Sequence, residues 1–454
     1  MAVGDLTALP AGLTNLIQQG ILKRKFEDAL FSQMAYSMFA EKEPIEARRG
    51  ATVILTRPSE KATGDQPIDP VNNTGLDNGL TPSTFTDEQY QLTMSTYMDT
   101  GDVNLLQDEA ALANQAMRLA EIHGRQSQRR RERVARKRLF GAYMGGNTRV
   151  INTDVTPTTT TCQVDDVRGF LQLLVQGTLT GVSGTNTLTC QETQVPSNGR
   201  TQSLVVTGAS IDSTNRSSAA AVGGQSGVLV FQTAANAPVV GDVITAPNAP
   251  QMLRPNGRLS TAQLIGSDVL TTGYVHDATV ILENNGVPRF TNGDYVCILD
   301  ATSSRQLFAD PSFQVAYQGA FNSPEIRGGK LVRHLGVTYV LTTEAGIQPP
   351  GSGVNVTVHR PIVFGKECLI RGDWDGLENF VMQQSKNGIH AMDFVDGICM
   401  ATRPPIDRGG QIVSQTWTGV FDFAVPSDLG ATTASIPTAS NCMFKRAVVI
   451  EHAG

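Results

Sequence analysis

The sequence predicts an α+β protein with a β-rich module inserted into it, on three observations. Residues 102–143 carry one helical pattern, roughly 40 residues or ~60 Å long. Short β-branched runs flank it and recur through the last hundred residues. Between residues 182 and 250 only five side chains are charged, while Thr, Ser, Val, Gly and Gln dominate, so residues 150–258 read as a separate unit. At 454 residues the chain exceeds the size at which one core keeps growing, which requires several subdomains.

Residues 1–50 read as an arm. Leu13, Leu16, Ile17, Ile21, Phe26, Leu30 and Met34 recur at mixed three-and-four spacing around Lys23, Arg24 and Lys25, an apolar stripe that needs a surface to lie on. Residues 51–100 read as an extended two-stranded loop. Its first strand, 51–56, is rich in β-branched residues; about 27 mostly polar residues follow, with Gly64, Pro67, Pro70, Gly75, Gly79 and Pro82. The second strand alternates, with Tyr90, Leu92, Met94 and Met98 on one side and Gln91, Thr93, Ser95, Tyr97 and Asp99 on the other. A ribbon of two strands is marginal alone in water, so it lies either on another subunit or on its own domain.

Residues 101–149 hold the long helix. Asp102, Asp108 and Glu109 suit the positive end of its dipole, bases crowd its end, and Gly141, Gly145 and Gly146 stop it; Gly124 is a candidate kink. Within the module, a short helix at 166–176 leads into strands at 203–207, 228–233 and 239–245. Residues 259–454 form an α+β body. Thr271 or Ser267 caps a helix carrying Val275, Ala278, Ile281 and Leu282 that ends at Asn285-Gly286. A buried strand at 295–299, a helix at 303–308 and strands at 337–341 and 354–359 follow.

Composition excludes several functions. A net charge of -6 and a pI near 5.6 do not suit a protein whose whole surface binds nucleic acid. The six cysteines form no C-x-x-C pair and no histidine stands at ligand spacing, so neither a metal nor a disulfide framework is expected. No apolar run approaches the roughly 18 residues of a membrane span, and reduced thiols in the cytoplasm are expected. Gly351-Ser352-Gly353 lacks the Gly-Lys-Ser/Thr ending of a phosphate loop, and Gly365-Lys366 is followed by Glu367. Asp373-Trp374-Asp375-Gly376 brings its glycine too early for a calcium loop, and Arg371-Gly372-Asp373 is a three-residue match to the adhesion tripeptide. His123, His276, His334, His359, His390 and His452 sit in unrelated contexts. No catalytic residue, metal ligand or cofactor site emerges.

One feature departs from this background. Residues 125–138 hold Arg125, Arg129, Arg130, Arg131, Arg133, Arg136, Lys137 and Arg138 against the single Glu132, seven net positive charges that leave the rest of a chain of net charge -6 near -13. On a helix these cations wrap most of the circumference, so something anionic must compensate: carboxylates of adjacent subunits or nucleic-acid phosphates. Arg129 and Arg133 are expected to be partly paired at subunit contacts, and at least some of Arg130, Arg131, Lys137 and Arg138 to face nucleic-acid phosphates.

The order of parts resembles the Hong Kong 97-type fold of tailed-phage major capsid proteins, in the short-tailed branch. The stretches that carry this are Tyr97-Met98-Asp99-Thr100-Gly101-Asp102-Val103 at the join of loop and helix; Asp294-Tyr295-Val296-Cys297-Ile298-Leu299-Asp300 through Leu307-Phe308-Ala309-Asp310-Pro311-Ser312-Phe313; Leu335-Gly336-Val337-Thr338-Tyr339-Val340 with Thr342-Thr343-Glu344-Ala345; and Gly410-Gln411-Ile412-Val413-Ser414-Gln415-Thr416-Trp417 with the run from Phe444 to His452. The resemblance covers nearly everything outside 150–258. It implies a spine helix, peripheral and axial domains, and a non-enzymatic coat protein that self-assembles as pentamers and hexamers into an icosahedral shell around phage DNA. It further implies a separate scaffolding protein, since only about 10 residues precede the arm's helical pattern. A portal protein and non-specific contact with double-stranded DNA also follow, with a decoration protein as a further candidate partner, no membrane, and assembly in the host cytoplasm. The alternative from another class is a carbohydrate-binding or adhesive β-rich structural protein, suggested by residues 150–258; an enzyme ranks third.

Overall fold

A computed structural model describes residues 17, 19–31, 34–46, 52–58, 87–104, 112–151, 157–175, 178–194, 201–247, 249–319, 333–350, 355–375, 391–405, 408–409, 411–426 and 446–454. The loop tip at 59–84, the acids Asp108 and Glu109, Gly351-Ser352-Gly353 and Phe444 lie outside them.

Helix α1 (Ile21–Phe31) turns Leu22, Phe26, Ala29 and Leu30 inward onto helix α2 (Leu112–Tyr143), where Ala116 and Ala120 present a small-residue face. Burying Phe26 completely contributes about 2–3 kcal/mol. Gly124 belongs to that face. A Cβ there would stand 2.5 Å from the Phe26 carbonyl oxygen and 2.9 Å from Ala29 Cβ, so close approach, not a kink, accounts for the glycine. The helix runs through it unbroken.

Beneath α2 lies a six-stranded sheet. The 13-residue strand Ile412–Ala424 is its centre, with Ile370–Asp375 and Ile398–Arg403 on one side and Ser95–Asn104 on the other; Ala391–Val395 pairs beyond Ile398–Arg403, and Glu41–Glu46 of the arm pairs parallel with Ile370–Asp375. Strands Thr52–Pro58 and Asp87–Thr93 form the expected ribbon. Its face made by Val53, Leu55, Tyr90, Leu92 and Met94 packs on Ile370 and Ala424, so its root lies on its own domain.

Two expectations are corrected here. The alternating run from Tyr90 to Asp99 is two strands, not one: after Met94 the chain leaves the ribbon and Ser95–Asn104 joins Ile412–Ala424. Asp102, read as the first helical acid, therefore lies in a strand, opposite Ser414, whose hydroxyl donates to its Oδ1 at 2.5 Å. Ladder pairing with a strand some 300 residues away decides this, and no local propensity reports it.

Strands Asn147–Arg149, Val243–Thr245, Leu188–Thr193, Thr201–Ile211, Gly227–Phe231 and Thr161–Val164 follow one another in an antiparallel sheet. A bridge between Val150 and Val164 returns its first strand to its last, closing a small barrel. Val150, Cys162, Val164, Leu188, Cys190, Leu204, Val206, Leu229, Phe231 and Ile244 fill it. The helix expected at 166–176 does not form among the described residues, which in this stretch run to 175. Asp166 accepts from the Arg168 N–H and guanidinium, Gly169 takes φ +85°, and a hairpin of Gln172–Val175 with Thr178–Gly181 follows; a carboxylate that captures the nearby backbone favours a turn.

The third sheet is mixed, in the order Met252–Leu253, Ala447–Ile450, Ile362–Phe364, Tyr295–Leu299, Val337–Leu341 and Arg333–His334. Every residue of Tyr295–Leu299 is buried. Helix α3 (Thr272–Asn284) packs on it through Val275, Ala278 and Leu282. Helices α4 (Ala301–Ala309) and α5 (Pro311–Gly319) follow, the first capped by the Asp300 carboxylate accepting from Thr302 and Ser303 N–H. Of the strand expected at 354–359, Val358–His359 forms.

Candidate functional site

Helix α2 brings the eight cations of 125–138 onto faces of very different character. Arg131 points into the protein and is wholly buried, its guanidinium 5.2 Å above the Phe421 ring. Its Nη1 donates to Asp396 Oδ2 at 2.8 Å and its Nη2 to the Asp396 carbonyl at 2.7 Å. Arg371, also buried, donates to the same carboxylate at 3.1 Å and meets Asp373 at 2.7 Å, while Lys42 of the arm reaches Asp396 at 3.0 Å. Asp396 thus ties arm, long helix and sheet together. Burial would raise its carboxyl, but Arg371 and Arg131 hold it down at about 2. Burial, then repulsion from Arg371, lowers Arg131 to about 10.

Glu132 faces inward one residue on and accepts from the N–H groups of Tyr36 and Ser37 at 2.6 and 3.2 Å and from Gln128 at 2.8 Å. Burial raises its carboxyl, against those hydrogen bonds. Arg138 makes two 3.2 Å bonds to Asp422, a carboxylate 2% exposed. Arg133 grips Glu344 with Nε at 2.7 Å and Nη2 at 3.1 Å, and Arg125 pairs with Glu121 one turn back at 2.6 Å. Arg136 gives Nη1 to the carbonyls of Glu344 and Ala345, both at 2.9 Å.

Wholly buried, Arg131 is not among the cations that could face packaged DNA. Arg131 and Arg138 are spent on carboxylates of their own chain, and so is Arg133, whose side chain nevertheless stays 59% exposed. The anions come from four separate segments, so no single acidic strip was needed. Arg129, Arg130 and Lys137 remain exposed, and no carboxylate pairs with them among the described residues. Arg130 lies 5.3 Å over the Tyr97 ring. Two adjoining hollows of about 740 and 660 Å³ follow this face and share Tyr97, Arg130 and Arg133. The outward part of the helix is a cationic surface, with the Tyr97 ring beneath Arg130.

The weak motifs dissolve. Arg371-Gly372-Asp373 lies in a sheet strand with Arg371 1% exposed, out of reach of a receptor. At Gly365 a Cβ would stand 2.4 Å from Val287, so that glycine serves packing. Among the described residues no group of three His, Cys, Asp or Glu could hold a metal, and no helix is long and apolar enough to cross a membrane.

Sequence reasoning missed two centres. Asp396, at φ +47° with Gly397 at +78°, forms the two-residue turn between Ala391–Val395 and Ile398–Arg403; an Asp-Gly pair between apolar runs is a hairpin signal that could have revealed it. In the other, His359 Nδ1 lies 2.9 Å from Asp300 Oδ2, and the Ser303 hydroxyl sits between that carboxylate and His452 Nε2, 2.8 Å away. The rings of His359 and His452 stack at 5.4 Å. Burial pushes His452 down to about 4. All four residues are buried, which makes this a structural lock between the α4 cap and the strand His452–Ala453.

No protein-family model matches the chain, and no curated protein matches it. Among solved structures it is similar to the capsid of Ralstonia phage GP4, at 11% identity and a TM-score of 0.46, over 92% of this chain and 87% of that one. It is also similar to the capsid of cyanophage P-SCSP1u, at 11% identity and a TM-score of 0.43, over 93% and 89%. A third is the cyanophage Pam1 capsid, at 11% identity and a TM-score of 0.44, over 91% and 88%.

Proposed function

We propose that this chain is the major capsid protein of a tailed phage, a non-enzymatic coat protein that self-assembles into the icosahedral shell enclosing packaged DNA. The observation that carries the reading is the joint of ribbon, edge strand and long helix. The ribbon rests one face on its own sheet and leaves the other open, with Ile54 63% exposed; Met98 on Ser95–Asn104 is 65% exposed, and no strand pairs with that strand's outer edge among the described residues. Open edges and exposed large apolar side chains are surfaces that an assembling subunit covers with further copies. The order of arm, ribbon, helix and body is also the one that the capsid-family resemblance of the sequence requires.

On this reading residues 1–50 are the arm, 51–100 the extended loop, 101–149 the spine of the peripheral domain, 150–258 the inserted module and 259–454 the peripheral and axial body. The extended loop clasps a neighbouring subunit within pentamers and hexamers. A separate scaffolding protein and a portal take part in assembly in the host cytoplasm, and Arg129, Arg130 and Lys137 supply local, sequence-independent contacts to duplex phosphates.

Electron microscopy of purified protein tests the reading: shells or capsomers are expected, and discrete monomers or trimers would overturn it. Deleting residues 59–84 should leave soluble folded protein that forms no shells.

A further inference from the structure

We propose that the hollow between the long helix and the barrel is a binding site for a compact, multivalent phosphate anion. The inference goes beyond the shell reading, because the site is complete within one subunit. The hollow, about 660 Å³, is walled on one side by α2 and on the other by the barrel's turn Ala220–Val222 with Gly223, Gly224 and Gln225. Six cations line it against one carboxylate, Asp422.

That carboxylate is already engaged by Arg138 and by the Ser95 hydroxyl at 3.2 Å. Arg133 is committed to Glu344 and Arg168 to Asp166. What remains among the described residues is Arg130 and Lys137, with no carboxylate partner, and Arg136, whose bonds there go to carbonyls that leave its charge uncompensated. Arg130 and Lys137 stand two helical turns apart, about 10 Å along one face, with Arg133 between them. Uncompensated cations crowded into one concavity repel one another and focus potential on whatever anion enters.

The opposite wall is shaped for close approach. Gly223 takes φ +86°, and a Cβ there would stand 3.9 Å from Lys137 Cγ and 3.4 Å from Arg168 Nη1. Arg168 ties the turn down through the Val222 carbonyl at 3.3 Å, while Asn215 holds Gly224 and Ser226. A volume of this size takes a nucleotide or a short polyphosphate. Phosphate oxygens match guanidinium and ammonium donors in charge and geometry. The same chemistry has two sources, a free polyphosphate or nucleotide and the backbone of nucleic acid, and they separate by size.

The test is calorimetric titration of the purified full-length chain with tripolyphosphate at fixed ionic strength, with a duplex oligonucleotide as competitor. Saturable binding is expected. The double variant Arg130→Gln/Lys137→Gln should weaken it by about tenfold or more, as should Ala221→Glu, which places a carboxylate in the hollow without touching the helix. Arg125→Gln, outside the hollow, should bind as the parent does. Tripolyphosphate held while duplex is present assigns the site to a free phosphate compound; competitive displacement by duplex assigns it to nucleic-acid backbone. Equal binding by parent, Arg130→Gln/Lys137→Gln and Ala221→Glu, or heat no greater than that of chloride at the same ionic strength, would overturn the site.

Discussion

Replacing Asp396 by Asn removes one charge and little else. Asn tolerates the left-handed conformation at φ +47°, so the turn survives, and it is nearly isosteric with Asp. The charge matters because two buried guanidiniums share it. Arg371 retains Asp373 at 2.7 Å, but Arg131, wholly buried, has no other carboxylate within ion-pair distance among the described residues. Leaving a buried charge without its partner costs about 3–5 kcal/mol. Removing the cation is the lesser injury: Arg131→Met leaves Asp396 with Arg371 and Lys42 and lays an apolar side chain against Phe421, at a cost of about 1 kcal/mol. The double variant Asp396→Asn/Arg131→Met should therefore be more stable than Asp396→Asn alone. Urea unfolding of unassembled subunits, followed by fluorescence of Trp417 in the same sheet, reads all three. A carboxyl held at about 2 against an ordinary 3.8 contributes stability present above pH 4 and lost as pH falls toward 2, so parent and Asp396→Asn should converge there. Asp396→Asn within 1 kcal/mol of the parent, or less damaging than Arg131→Met, would refute the reasoning.

Gly124→Ala gains about 1 kcal/mol of helix propensity yet should destabilise the chain by about 1–3 kcal/mol net, because the new methyl meets the Phe26 carbonyl; an unfolding midpoint equal to or above the parent's would contradict the packing. His452, with its folded pKa near 4 against 6.5 unfolded, makes the unfolded chain bind a proton that the folded chain refuses, so stability should fall by up to roughly 3 kcal/mol as pH drops from 6.5 to 4. His452→Gln should flatten that limb, and superimposable pH profiles for parent and variant would rule the lock out.

The candidate site was half legible. The cations of 125–138 announced themselves by charge density on a helical pattern. Their partners did not, because Arg131 and Asp396 stand 265 residues apart, Arg138 and Asp422 284, and Arg133 and Glu344 211. Which cations remained exposed could be known only after those pairs had formed. The Ser303, His359 and His452 lock was invisible for the same reason, since its members come from three segments.

The sequence by itself determined what neighbouring residues govern. Five consecutive apolar residues made Tyr295–Leu299 a buried strand, Asn285-Gly286 ended α3, and the scarcity of charge marked the region that closes into a barrel. Tertiary structure alone decided where the run from Tyr90 to Asn104 breaks, why Gly124 has no side chain, and that the barrel closes through Val150 and Val164. Periodicity and composition report that a side chain is buried or a segment extended. They do not say against what, because strand partners, close contacts and buried ion pairs are chosen by geometry between residues that the chain brings together only when it folds.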